Sequence, residues 1–208
     1  MVDQQAELGM WRRKGTNFTE LRQLSSMALI DPLTGLYNRR GLFGDHKKKP
    51  PIIGQLDEIY SSTKRYEHDM TVMMLDLDYF KDYNDKHGHQ KADELLQKFA
   101  LISRGAVREY DILGRYGGEE FLFIFPETNI NQGKKIAEQI QKALKDNNLR
   151  TTVSMGISSH NGKRLPPKEV FINEADAALY LAKHSGRNCF KTRGDVLVKN
   201  KFSPRVHP

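Results

Sequence analysis

The sequence holds a single cysteine, Cys189, in 208 residues. One thiol excludes an internal disulfide and a zinc cage built from cysteines. It also fits a reducing compartment, so the expected location is the cytoplasm. No run of about 18 apolar residues occurs, so no segment is expected to span a membrane. No secretory leader is visible at the N-terminus, and there is no internal repeat. Also missing is the Lys/Arg-Gly-Phe/Tyr run with exposed aromatics that RNA-binding sheets use, so nucleic acid is not an expected partner. Charge alone leaves that question open. The net charge is +7, from 33 Lys and Arg against 26 Asp and Glu. A basic chain suits phosphorylated small molecules as well as polyanions. Part of the excess sits in Lys47-Lys48-Lys49 and in the tail after Arg193, where solvated loops account for it. The hydrophobic share of 38% and charged share of 28% indicate a globular chain with one sizeable core.

What is present is organised around Arg115-Tyr116-Gly117-Gly118-Glu119-Glu120-Phe121. A Gly pair between extended segments signals a tight hairpin, because Gly tolerates positive φ. Two carboxylates at such a turn stand out towards solvent or a ligand, and the apolar run Phe121 to Phe125 returns as a strand.

Along the chain, residues 1 to about 16 read as unstructured. Asn17 or Thr19 can cap a helix over Phe18 to Ile30, either the end of a connector from an upstream module or a helix packed on its own domain. Asp31 to Asn38 is a turn-rich wedge in which Pro32 stops a helix and Asn38 can cap the next. A loop is expected over 47–51 and a helix over Gln55 to Tyr66. Thr71 to Leu75 reads as a strand buried on both faces, ending in Asp76-Leu77-Asp78. Alternation places Asp76 and Asp78 on one side. Acids there require hydration, pairing or a cation, and hard divalent cations prefer such oxygens. A cap by Asp78 is the structural alternative. Lys81, Asn84, His87, His89 and Asp93 follow in a polar turn and helix start. Lys suits a phosphate as a point charge, while Asn and Asp together can read a purine edge. Leu95 to Val107 is a helix, Ile112 to Phe125 the hairpin and Asn129 to Leu144 an amphipathic helix. Thr151 to Ser158 is a strand, Val170 to Lys183 a helix and Cys189 to Lys191 a short strand. The tail 194–208 is expected to be disordered. The pattern is α+β, with a mainly antiparallel sheet flanked by helices.

A central strand ending in an acid (Asp76/Asp78) next to a hairpin tip with acids (Glu119/Glu120) makes a carboxylate pair suited to divalent metals. Lys183 and Arg187, four residues apart, share one helical face or its exit and suit a polyphosphate. Together these groups suggest nucleotidyl transfer by metal-assisted in-line displacement.

These residues resemble the GGDEF family, the diguanylate cyclases, over about residues 28 to 193. The resemblance rests on ordered motifs: Asp31 to Arg40, Asp76 to Asp85, Gly88-His89, Gly117 to Phe121, Val153 to Ile157, and Ala175 to Tyr180 through Ala182-Lys183 to Asn188. It implies a fold like the nucleotidyl cyclases and the polymerase palm, with the Gly-Gly-Glu-Glu-Phe signature on a β-hairpin. It implies condensation of two GTP into cyclic di-GMP with release of two pyrophosphates, by two domains face to face in a homodimer. By position, Asp76, Glu119 and the carbonyl of Leu77 would hold Mg²⁺, with Mn²⁺ as the alternative ion. Glu119 would be the base for the 3′-hydroxyl, and Glu120 would assist at the metals. Lys81 would stabilise the reacting phosphate. Asn84 and Asp93 would read guanine, with His89 beside the nucleoside. Lys183, Arg187 and the backbone at Tyr79 and Phe80 would hold the outer phosphates, and Gly117 and Gly118 would let the backbone approach the nucleotide. Arg108-Glu109-Tyr110-Asp111 matches the family's RxxD inhibitory site, so Arg108 and Asp111 would bind product; an ordinary helix-exit ion pair is the alternative. Two departures stand out. Ala92 precedes Asp93 where Gly is frequent, and the segment from Gly44 to Gly54 is longer and more basic. No sensor domain is visible: the chain is either the output domain of a longer cytoplasmic sensor protein or dimerises through its N-terminal helix. A non-catalytic cyclic di-GMP receptor is the competing reading, disfavoured because Asp76, Lys81, Glu119 and Glu120 are all retained.

Overall fold

The computed structural model describes residues 29–47 and 52–202. The expected helix from Phe18 and most of the basic loop lie outside that range. Helix α1 (Arg39–Phe43) starts where Asn38 accepts a hydrogen bond from the Gly41 amide at 2.9 Å, an N-cap as expected. Helix α2 (Gln55–Tyr66) has Asp57 and Glu58 in its first turn and Lys64 and Arg65 in its last, the order its dipole favours. Then come β1 (Asp69–Leu77), α3 (Phe80–His87), α4 (His89–Gly105), β2 (Ile112–Arg115) and β3 (Glu120–Pro126). The chain goes on through α5 (Ile130–Asp146), β4 (Val153–Asn161), α6 (Lys168–His184), β5 (Phe190–Thr192) and α7 (Arg193–Phe202).

The strands form one open sheet in the order β2-β3-β1-β4-β5. Every pairing is antiparallel except β4 with β5. The chain is therefore α+β, as its element order suggested. β1 is central and buried along its length, which explains its continuous apolar run. Its two faces serve different layers. Met73, Leu75 and Leu77 join Phe121, Phe123 and Phe125 against Phe99 of α4 and Ile140 of α5. Met70, Val72 and Met74 join Leu122 and Ile124 against Leu56 of α2 and Phe171, Ala175 and Leu179 of α6. Each such fully buried side chain contributes about 1.5–3 kcal/mol by leaving water, so these two clusters hold the sheet between its helices.

The basic segment left uninterpreted by its sequence is closed at its base. Asp45 pairs with Ile52 through the backbone and with Arg40 through its carboxylate at 3.2 Å. The tail differs from expectation, because residues 193–202 form α7 rather than irregular chain. Asp195 stabilises that first turn by accepting from the Thr192 amide and hydroxyl, both at 2.7 Å. Helix α4 begins at His89, six residues before the apolar spacing becomes visible, because His89, Gln90 and Lys91 are polar and exposed and only Ala92 of the first turn is buried. Among the described residues no helix is long and apolar enough to cross a membrane.

Candidate active site

The period-2 alternation of β1 puts Asp76 on the α6 side of the sheet, after Met70, Val72 and Met74. Directly opposite stand Glu120 on β3 and Ser154 on β4. Two acids facing across a strand pair repel. The compensating charge comes from the last turn of α6, where the Lys183 ammonium sits 2.6 Å from Asp76 Oδ2. Asp76 is only 7% exposed. Burial pushes its carboxyl above the ordinary range; Lys183 opposes this, Asp78 adds to it and Arg187 opposes it more weakly.

The hairpin turn lies beside the end of β1, because the Leu77 amide donates to the Glu119 carbonyl at 3.3 Å. Glu119 is raised in the same direction, first by burial, then by the Asp76 charge and by Glu120, against Lys183. Asp76, Glu119, Glu120 and Lys183 therefore form one electrostatic unit, drawn from β1, the turn, β3 and α6.

The turn differs in detail from the tight-hairpin expectation. Neither Gly117 nor Gly118 takes a left-handed φ. Four residues, not two, bridge Arg115 to Glu120, and the Tyr116 and Gly117 amides both donate to the Glu120 carbonyl at 2.8 and 3.1 Å. The two glycines stand in different surroundings. A Cβ on Gly117 would meet the Glu120 carboxylate at 2.7 Å, whereas one on Gly118 would meet nothing within 4 Å.

The turn is supported from outside the hairpin. The Arg115 guanidinium donates to the Gly118 carbonyl through Nε at 3.0 Å and Nη2 at 2.8 Å, and pairs with Asp31 at 3.3 Å. Asp31 in turn accepts from the Thr34 amide at 2.9 Å and hydroxyl at 2.7 Å. Burial works to raise the Asp31 carboxyl, but Thr34 and Arg115 prevail and hold it below the ordinary value. The turn-rich wedge is thus a brace for the signature loop. The clue available in sequence was an acid in an Asx-type turn with an arginine two residues before the glycines. Arg115→Ala is expected to let the loop drift, which costs roughly 10- to 100-fold in any chemistry the loop supports. Its thermal midpoint should move by only a few degrees, and Arg115→Lys should restore little, because an ammonium lacks the two-pronged fork. Steady-state kinetics and a melting curve check this.

Asp78 is not a cap: hydrogen bonds hold its carboxylate, and its charge still reaches Asp76. Its Oδ2 accepts from the Thr152 hydroxyl at 2.6 Å and the Asn188 amide at 3.0 Å, and its Oδ1 from the Ser154 hydroxyl at 2.6 Å. It ties the end of β1 to the start of β4 and to the turn after α6. Tyr79, at φ 56°, turns the chain into α3. The Arg187 guanidinium lies over the Tyr79 ring, 4.6 Å from its centroid. Lys183 and Arg187, expected together on one face, therefore lie over Asp76 and over Tyr79.

Lys81, in the first turn of α3, is exposed and has no ion-pair partner among the described residues. Asn84, in the last turn, is half-buried with its Oδ1 buried and unpartnered. An orphan acceptor of this kind is what a ligand donor would satisfy. Gly88, at φ 81°, turns α3 into α4, where His89 and Asp93, both exposed, share one face four residues apart. Among the described residues no hydrogen bond or ion pair joins these side chains to the carboxylate unit.

Arg108 and Asp111 share a compact turn away from these groups. The Arg108 amide donates to Asp111 Oδ2 at 2.8 Å, and Arg104 donates to the carbonyls of both residues. Asp111 is 1% exposed, with Oδ1 unpartnered. Burial raises its carboxyl, against the Arg108 amide and the Arg108 and Arg104 charges. The Arg108 guanidinium remains exposed beside the Tyr110 ring.

Among the described residues no three His, Cys, Asp or Glu are gathered as a ready metal cage. The donor chemistry still fits a hard cation: Asp76 and Glu119 are partly desolvated carboxylates, and a cation, the Lys183 ammonium, already stands on Asp76.

An acid at the end of the central strand, Lys183 over it from α6 and an orphan amide on α3 are donor and acceptor types that suit an anion and a hard cation. The family model described as "Diguanylate cyclase, GGDEF domain" matches residues 28–189. The chain belongs to the GGDEF family. It is 36% identical over 171 residues to the response regulator PleD of Caulobacter vibrioides, covering 78% of this chain and 35% of that protein. It is 32% identical over 173 residues to diguanylate cyclase A of Treponema denticola, covering 80% and 44%. Among solved structures, the coiled coil and GGDEF domain of DgcB from Caulobacter crescentus in complex with c-di-GMP aligns with a TM-score of 0.71 at 26% identity, over 91% of this chain and 95% of that one. The chain thus spans less than half the length of these curated relatives.

Proposed function

We propose that this domain is a diguanylate cyclase that condenses two GTP into cyclic di-GMP. The observation that carries the reading is the single unit of Asp76, Glu119, Glu120 and Lys183 at the signature turn. A Mg²⁺ or Mn²⁺ ion held by Asp76, the Leu77 carbonyl and Glu119, with Glu120 beside it, would activate the 3′-hydroxyl and neutralise charge on the phosphates. Glu119 takes the proton of that hydroxyl, its raised carboxyl making it a better base than an ordinary glutamate. The 3′-oxygen forms a bond to the α-phosphorus of the GTP on the facing domain, and the bond to pyrophosphate breaks. The same step on the second GTP closes the ring. Lys81, with no competing acid, meets charge at the reacting phosphate. Lys183, Arg187 and the backbone at Tyr79 and Phe80 hold the outer phosphates. Asn84, through its orphan Oδ1, and Asp93 accept the N–H groups of guanine, with His89 beside the nucleoside. Adenine offers no matching donor pair. Gly118 leaves open space for the nucleotide, and Gly117 leaves room for the Glu120 carboxylate.

Product inhibition through Arg108 and Asp111 completes the proposal. Arg108 has an exposed guanidinium that can fork to a product guanine. Asp111 keeps one acceptor free, but the turn has to loosen before that acceptor is reached.

The test is incubation of the protein with GTP and Mg²⁺ at several protein concentrations, with products separated by chromatography. The expected result is cyclic di-GMP formed with more than first-order dependence on protein, stalling early as product accumulates. GTP or cyclic di-GMP bound without turnover, persisting when the domain is covalently dimerised, would favour a receptor instead.

A further inference from the structure

The Lys183–Asp76 contact poses a question that the cyclase reading leaves open. The same carboxylate is wanted by a lysine and by a metal ion. We infer that Lys183 is the resident counter-ion of Asp76 in the protein alone, and that it yields this carboxylate to a divalent cation when nucleotide phosphates take over its ammonium. The inference rests on the cyclase reading for the identity of the incoming groups and adds an order to their loading. Metal by itself binds weakly, and metal with nucleotide binds tightly.

Four observations support it. The contact is direct, at 2.6 Å, and the Asp76 side chain is 9% exposed, so the acid has little water to replace a lost partner. Lys183 is 31% exposed and has a flexible four-carbon stem, so the cation, not the acid, is the partner able to leave. Lys183 also acts on Glu119, so one ammonium serves the carboxylates from which a metal would be held. Finally, the second cation of the motif is engaged elsewhere, with Arg187 over the Tyr79 ring, so it does not stand in for Lys183 at Asp76. A divalent ion arriving on Asp76 meets a like charge in a weakly hydrated setting, where repulsion is strong. A triphosphate removes that repulsion by offering the ammonium its own anionic oxygens. Coupling of this kind is reciprocal: metal strengthens nucleotide binding by the factor that nucleotide strengthens metal binding.

The test needs no turnover. Manganese(II) alone is titrated into the protein at pH 8 without nucleotide, and free ion is read by electron paramagnetic resonance. Lys183→Met, similar in length and uncharged, is expected to bind Mn²⁺ at least tenfold more tightly than the wild type. Lys183→Arg should stay weak. Adding Asp76→Asn to Lys183→Met should erase the gain and place it at this carboxylate. Lys183→Gln repeats the measurement should the Met variant melt early. Equal Mn²⁺ affinity in wild type and both neutral variants, or a gain that Lys183→Arg shares, overturns the inference. Cyclic di-GMP formation on the same wild-type preparation separates the two readings. Product without a Lys183 effect removes this inference alone, and a Lys183 effect without product, persisting when the domain is covalently dimerised, removes the cyclase reading alone.

Discussion

Asp76→Asn is expected to lower cyclic di-GMP formation by on the order of 10³-fold or more while leaving the thermal midpoint of the metal-free protein unchanged or higher. The activity loss follows from the role of the carboxylate. An amide is a poor ligand for a hard cation, and metal stabilisation of phosphoryl transfer is worth several kcal/mol, at about 1.4 kcal/mol per tenfold. The stability half of the prediction follows from the direction of the shift. Burial holds the Asp76 carboxyl above its ordinary value, despite Lys183. A carboxyl raised in the folded state takes up its proton there at higher pH than in the unfolded chain. Folding is therefore favoured as pH falls through the folded value, and above it the ionised group weighs against the fold. Asn carries no such charge. Lys183 loses a partner but is 31% exposed and can turn to water. A protein that keeps an unfavourable acid at this position does so for function. Calorimetry at neutral and mildly acidic pH, with chromatography of the products, checks both halves. A variant that melts many degrees lower would mean that Asp76 is a structural ion pair. One that still cyclises would remove it from the metal site.

Much of this architecture is local, and local patterning was enough to read it. The continuous apolar run of β1, the 55–66 helix, the glycine-centred hairpin and the Asn38 cap are each encoded within a dozen residues. The order of the sheet, with β1 between β3 and β4, is not local, and only the folded chain shows it.

The residues least legible were those whose partners lie far along the chain. Arg115 meets Asp31 across 84 residues, and Asp78 meets Asn188 across 110. Neither partnership leaves a periodic trace. Asp78 looked like a second metal acid because alternation gave its side without saying which side chains lined it. The glycine pair was read partly through φ, its commonest use, but neither glycine takes a left-handed φ. Lys183 was assigned to phosphates by position in the motif, and only the three-dimensional return of α6 to the end of β1 brings it to Asp76. The α7 helix was missed because a basic, polar tail has little amphipathic signal. Its start depends on Asp195 capping the end of β5.

The same distinction between room for packing and room for a ligand gives the second large effect. Gly156→Ala is expected to destabilise by about 3 kcal/mol or more, the range for a clash with backbone that cannot turn aside. For a chain of this length that is a fall of roughly 6–12 °C in thermal midpoint. A Cβ at Gly156 would lie 2.0 Å from the Ala175 carbonyl oxygen, 2.1 Å from the Leu179 nitrogen and 2.8 Å from the Ala178 carbonyl carbon. All three belong to the backbone of α6, so the helix has to retreat as a body. It carries with it Phe171, Ala175 and Leu179, which bury the second face of the sheet, and Lys183 at its end. Gly118→Ala is the matched contrast. Its Cβ meets nothing of the protein within 4 Å and its φ lies outside the left-handed region. The methyl group should leave the melting curve in place and raise KM for GTP, because the space it fills is where the nucleotide approaches. If the two variants exchanged these effects, the close seating of α6 on β4 and the opening at the signature turn would both be misplaced.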